Sequence, residues 1–121
     1  MAVNYGSRRI VVGAHYGTRD WLAQRVTAAL MAVFTLTMLA MVIFTRGPID
    51  YVKWAGIYAS QPMKMLTFAT IVGLLYHVWV GMRDVLMDYV KPVAVRLVLQ
   101  ILVIVWLVGC AGWAIQVLWR L

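Results

Sequence analysis

The chain has 121 residues, of which 64% are hydrophobic and only 12% charged, whereas soluble domains carry about 25% charged residues. That deficit excludes an ordinary water-soluble fold and marks an integral membrane protein. Eleven basic residues stand against four acidic ones, but they fall between long apolar runs, where they report topology rather than a nucleic-acid interface.

Residues 1–20 form a polar, glycine-dotted segment. Ser7-Arg8-Arg9 has the form of a twin-arginine signal, yet no apolar core and small-residue cleavage site follow it. The first span is therefore expected to act as its own insertion signal. That span runs from about 21 to 45 and is uncharged for twenty residues between Arg25 and Arg46, which predicts one membrane-crossing helix. Trp21 suits the interfacial aromatic belt. Arg25, one turn further in, is placed to snorkel to the headgroups or to reach an anionic ligand group, and from the residues alone snorkelling is the simpler reading. Gly47-Pro48 breaks the helix and Asp50 is a plausible N-cap. Tyr51, Trp54 and Tyr58 then share one helical face, predicting a short interfacial helix that anchors at the headgroups.

The second run is uncharged from Met65 to Met82, with Lys64 and Arg83 free to snorkel at its ends. Its helix is predicted over about 64–90, stopping near Lys91 because Pro92 disfavours helical geometry in the residue before it. The third span, about 97–119, lies between Arg96 and Arg120. Gly109 and Gly112 within it are expected to admit a close neighbouring helix, and Cys110, the only cysteine, reads as a small apolar packing residue. The fold class is thus all-α integral membrane: an N-terminal segment, 1–20, followed by a three-helix domain, 21–121. Arg8, Arg9, Arg19, Arg25, Arg83, Lys91 and Arg96 on one side outnumber Arg46, Lys53, Lys64 and Arg120 on the other. The positive-inside bias places the N-terminus in the cytoplasm and the C-terminus outside.

The candidate chemistry lies in Tyr76–Pro92. His77 falls inside an apolar run, where a polar side chain is costly and calls for a partner. At about 100° and 1.5 Å per residue, Gly73, His77, Gly81, Asp84 and Asp88 share a face, with Asp88 about 16 Å further along the axis than His77. Two readings fit. A planar macrocycle needs flat neighbours beside the residue that binds its metal, so the imidazole suits haem ligation; equally, the glycines mark a helix–helix contact across which His77 hydrogen-bonds. Asp84 and Asp88, one turn apart, suit either proton delivery or a solvated interface with Arg83 and Lys91 as counter-charges. Tyr89 is a belt residue unless its hydroxyl meets a ligand carbonyl. If His77 binds haem, a bis-histidine pair would require a partner subunit, since His15, in the polar tail, reads as solvated; His–Met ligation is conceivable, although methionines in apolar runs read as packing.

His77-Val78-Trp79-Val80-Gly81-Met82 followed by Asp88-Tyr89-Val90-Lys91-Pro92 resembles the second-span signature of the small hydrophobic membrane-anchor subunits of bacterial succinate dehydrogenase, respiratory complex II. Arg19-Asp20-Trp21 to Arg25-Val26-Thr27-Ala28 resembles the approach to that family's first span, and Arg96-Leu97-Val98-Leu99-Gln100 the start of its third. The resemblance implies a non-catalytic anchor in the bacterial cytoplasmic membrane. Together with a second three-helix membrane-anchor subunit, it would hold haem b and tether the flavoprotein and iron–sulfur subunits. It further implies that His77 is an axial ligand of the haem iron, that Tyr89 hydrogen-bonds a ubiquinone carbonyl, that Asp88 borders the quinone pocket, and that Arg25 lies near the haem propionates. Two alternatives stand beside it: the anchor of a fumarate reductase-type enzyme, and a haem-free structural anchor in which His77 only packs.

Overall fold

The three prolines of the chain, Pro48, Pro62 and Pro92, stand at the three boundaries between the four helices of the described residues, because proline lacks the amide that a helix interior requires. The computed structural model describes the backbone of residues 6–121 and the side chains of residues 17–121. The helices are α1 (Gly6–Phe44), α2 (Tyr51–Ala59), α3 (Gln61–Tyr89) and α4 (Val93–Trp119), and no strand occurs among the described residues. Three segments are long and apolar enough to cross a membrane: Gly17–Phe44, Gln61–Tyr89 and Val93–Trp119. The chain is thus an all-helical, multi-pass membrane protein.

The predicted spans recur with shifted ends. α1 extends on its N-terminal side beyond the predicted start at Trp21. α3 starts at Gln61, three residues before Lys64, because Pro62 is tolerated in a first helical turn, where its missing amide has no partner to lose. At its other end Val90 already leaves the helix, with φ −100° and ψ 106°. α4 begins directly after Pro92, and the Arg96 amide bonds the Pro92 carbonyl at 3.0 Å. Residues 93–96, expected in the connection, therefore form the first turn of α4.

The α1–α2 connection is built by local polar groups. Gly47 has φ +78°, a left-handed conformation that favours glycine. The Lys53 ammonium donates to the Arg46 carbonyl at 2.6 Å. As expected, Asp50 caps α2, its carboxylate accepting from the Lys53 amide at 2.9 Å. Trp54 and Tyr58 meet edge to face, 5.4 Å between centroids. Instead of lying wholly toward headgroups, Tyr51, Trp54 and Tyr58 line a cleft of about 400 Å³ whose opposite wall includes Trp113, Val117 and Leu118 of α4. Burial there pushes the Tyr58 phenol above its ordinary pKa.

α3 is the central helix, with α1 along one side and α4 along another. Its α4 side is apolar: Phe68 packs edge to face on Trp119 at 5.5 Å, and Val78, Met82 and Leu86 share a cleft with Leu99, Val103 and Leu107. Val80 is the most completely buried side chain. With no water available in hydrocarbon, polar side chains must find partners within the protein. The hydroxyls of Thr67 and Thr70 do so by donating to carbonyls four residues back, at 2.7 and 2.8 Å. The outer faces of α1 and α4 expose large apolar residues such as Leu36, Ile43, Trp106 and Trp113. Gly109 and Gly112 meet no neighbouring atom where a Cβ would stand, so the close helix contact expected of them is not made among the described residues.

Candidate functional site

Polar and small residues recur along the face that α1 turns to α3, and they define how the two helices meet. Asp20, Gln24 and Thr27 stand at i, i+4 and i+7, one helical stripe. Across from them lie Arg83, Gly81 and His77 in descending order, the register of an antiparallel pair. The Arg83 guanidinium pairs with the Asp20 carboxylate, each about one-third exposed. A Cβ on Gly81 would stand 3.6 Å from Gln24 Nε2, and one on Gly73 only 3.1 Å from Leu30 Cδ2 and 3.8 Å from Thr27 Cγ2. Glycine at 73 is thus what lets the helices approach, the small-residue logic of membrane helix pairs.

His77 sits half-buried in this seam, with Nδ1 2.9 Å from Thr27 Oγ1. The Thr27 hydroxyl also lies 2.7 Å from the Ala23 carbonyl and 3.2 Å from that of Gln24. Of the two uses expected of the glycines, the structure shows the helix–helix one: both face α1, and His77 hydrogen-bonds across the contact. The same arrangement leaves the other ring nitrogen, Nε2, without a hydrogen-bond partner among the described residues.

That free nitrogen bears on haem. Among the described residues there is no group of three His, Cys, Asp or Glu side chains that could hold a metal ion, so a protein-ligated structural metal does not match this donor set. A single oriented imidazole does match haem iron, whose porphyrin supplies four nitrogens and leaves only axial positions to the protein. The residues therefore fit the group at one axial position.

The other residues singled out by the sequence are distributed unevenly. Arg83 lies 3.8 Å from Asp84, but its closer partner is Asp20 on α1, not the acidic residues of its own helix. Arg19, Asp20, Tyr76, Arg83, Asp84 and Met87 line a cleft of about 510 Å³ with balanced charge. Asp88 and Tyr89 lie outside it, at the end of α3. Tyr89 is 79% exposed, and neither residue has a side-chain partner among the described residues. Helical geometry turns Tyr89 about 120° around α3 from His77 and sets it about 18 Å along the axis. Arg25 is exposed and stacks on Trp21, its guanidinium carbon 5.3 Å from the ring centroid. It belongs to a different face of α1 from Thr27, so the structure does not bring it to His77. His15 and the Ser7-Arg8-Arg9 run lie outside the residues whose side chains are described.

Sequence reasoning missed Asp20, Gln24 and Thr27 as site residues. Gln24 carries a buried Oε1 without a hydrogen-bond partner among the described residues, between the Asp20–Arg83 and Thr27–His77 contacts. The signal was available: three polar residues at helical spacing on the approach to an apolar span mark a face turned toward protein, since polar groups in a membrane avoid lipid.

Three spans, a polar α1–α3 seam holding one histidine, and bare apolar outer faces define a helical membrane subunit. The chain belongs to the succinate dehydrogenase/fumarate reductase transmembrane subunit family, whose profile matches residues 4–111. It is 38% identical over 103 residues to the succinate dehydrogenase hydrophobic membrane anchor subunit of Coxiella burnetii, covering 85% of this chain and 89% of that one. The protein of the same description from Rickettsia felis is 28% identical over 96 residues, 78% of each chain.

Proposed function

We propose that this chain is the hydrophobic anchor of a bacterial succinate:quinone oxidoreductase, seated in the cytoplasmic membrane with its N-terminus in the cytoplasm. The carrying observation is the family match, which covers the first two spans, extends into the third, and includes His77, Asp88 and Tyr89. Both relatives named above are succinate dehydrogenase anchors, which favours succinate oxidation over the reverse direction. A second three-helix membrane-anchor subunit would cover the exposed apolar faces, and the flavoprotein and iron–sulfur subunits would dock on the cytoplasmic side.

In this reading the chain catalyses nothing alone. His77 would hold the iron of haem b through Nε2, and the partner anchor would provide the other protein ligand. When bound, the haem would supply a one-electron store. Tyr89, at the cytoplasmic end of α3, offers its hydroxyl to a ubiquinone carbonyl and so orients it. Asp88 borders that pocket, where it helps relay protons, and Asp84 lies one turn below. Arg25, on the outer face of α1, is available to a haem propionate contributed at the partner interface. The exposure of Asp88 and Tyr89 agrees with a pocket that neighbouring subunits complete.

The test is deletion of this chain in cells that retain the other subunits. Succinate oxidation with artificial acceptors is expected to move from the membrane to the soluble fraction, with loss of quinone reduction. Membrane-bound, quinone-reducing activity at its normal level would rule the anchor role out.

A further inference from the structure

We infer that Thr27 is a positioning residue that fixes the tautomer and ring orientation of His77, so that Nε2 carries the lone pair available to iron; the inference rests on the haem ligation proposed above. Its basis is the donor and acceptor arithmetic of the seam. A threonine hydroxyl has one proton to give, and its shortest contact, 2.7 Å, is to the Ala23 carbonyl, which can only accept. With that proton committed, Thr27 Oγ1 meets His77 Nδ1 at 2.9 Å as an acceptor, and the proton between them is the one on Nδ1. A neutral imidazole protonated at Nδ1 has its lone pair on Nε2. The chain of bonds therefore crosses from α3 to α1, His77 Nδ1–H to Thr27 Oγ1, and then continues within α1, from Thr27 O–H to the Ala23 carbonyl.

Metal-bound histidines commonly donate their second ring N–H to an oxygen, which sets the tautomer, holds the ring plane and raises ligand basicity. Here the oxygen belongs to a helix other than that of the histidine. The close approach at Gly73, where a Cβ would press on Leu30 and touch Thr27, fixes the separation of the helices next to this bond. Haem properties at His77 are thereby tied to the packing of α1 on α3. Loss of the acceptor lowers imidazole basicity and so weakens the preference for ferric over ferrous iron, shifting the haem potential upward.

The assembled complex is compared as native, Thr27→Ser, Thr27→Val, Thr27→Ala and His77→Ala, reading haem content, midpoint potential and the low-spin ferric electron paramagnetic resonance spectrum. Thr27→Ser, which keeps the hydroxyl, is expected to match native. Thr27→Val, nearly isosteric, and Thr27→Ala, which relieves any steric strain, are expected to shift both potential and spectrum, or to lose the haem. Equal behaviour of the serine and alanine variants, whether both native-like or both defective, overturns the inference. His77→Ala separates this from the underlying reading: if it retains the native haem signal, ligation by His77 fails; if it loses the signal while Thr27→Ala keeps native potential and spectrum, only the role of Thr27 fails.

Discussion

His77 and Tyr89 lie on one helix yet inhabit opposite environments. The histidine is half-buried, bonded to α1 at 2.9 Å, and flanked by glycines that bring the two helices together. The tyrosine is 79% exposed and has no side-chain partner among the described residues. The histidine station is oriented by the chain itself, whereas the tyrosine station is an unfinished rim. On the proposed reading, a side chain that presents one nitrogen to a metal needs support from its own fold, whereas a residue that contributes one wall of a shared pocket can be left bare until its partners arrive.

The largest disruption of this contrast is expected from Gly73→Leu. Its Cβ would stand 3.1 Å from Leu30, and the rest of the side chain has no space in the seam. The cost should reach the upper part of the about 1–3 kcal/mol typical of overpacking, read as a lowered unfolding temperature of the solubilised complex together with lost haem. Next in size, Tyr89→Phe should leave haem and stability unchanged while slowing quinone reduction about fivefold, as expected from losing one hydrogen bond worth about 1 kcal/mol. Succinate oxidation by artificial acceptors should persist, and undiminished quinone turnover would remove Tyr89 from the site. Smallest is Asp20→Asn, which breaks a partly exposed ion pair with Arg83 and should cost about 1 kcal/mol or less. A stability loss as large as that of Gly73→Leu would mean that the Asp20–Arg83 pair, rather than the glycine contact, holds the seam.

The spans were legible because an uncharged apolar run of bilayer length has few other structures open to it. The helix boundaries at Pro48 and Pro92 and the Asp50 cap were legible for local reasons of the same kind. Seam partners were not, because pairing Thr27 with His77, fifty residues apart, depends on the relative rotation of two helices. Hydropathy does not encode that rotation. The polar stripe of Asp20, Gln24 and Thr27 carried part of it, but Asp20 read as the end of a tail and Arg83 as the counter-charge of its own helix. Gly73 and Gly81 were recognised as meaningful, and the helix-contact half of their reading is the one observed. The direction of Arg25, stacked on Trp21 and away from His77, likewise follows from helix rotation rather than from its place in the span.

The central claim, that His77 presents Nε2 to a haem from the α1–α3 seam, is tested most directly by the reduced-minus-oxidised optical spectrum of purified complex carrying His77→Ala. Loss of the b-type signal is predicted while succinate oxidation by artificial acceptors continues; a b-type signal unchanged in position and amplitude would contradict the claim.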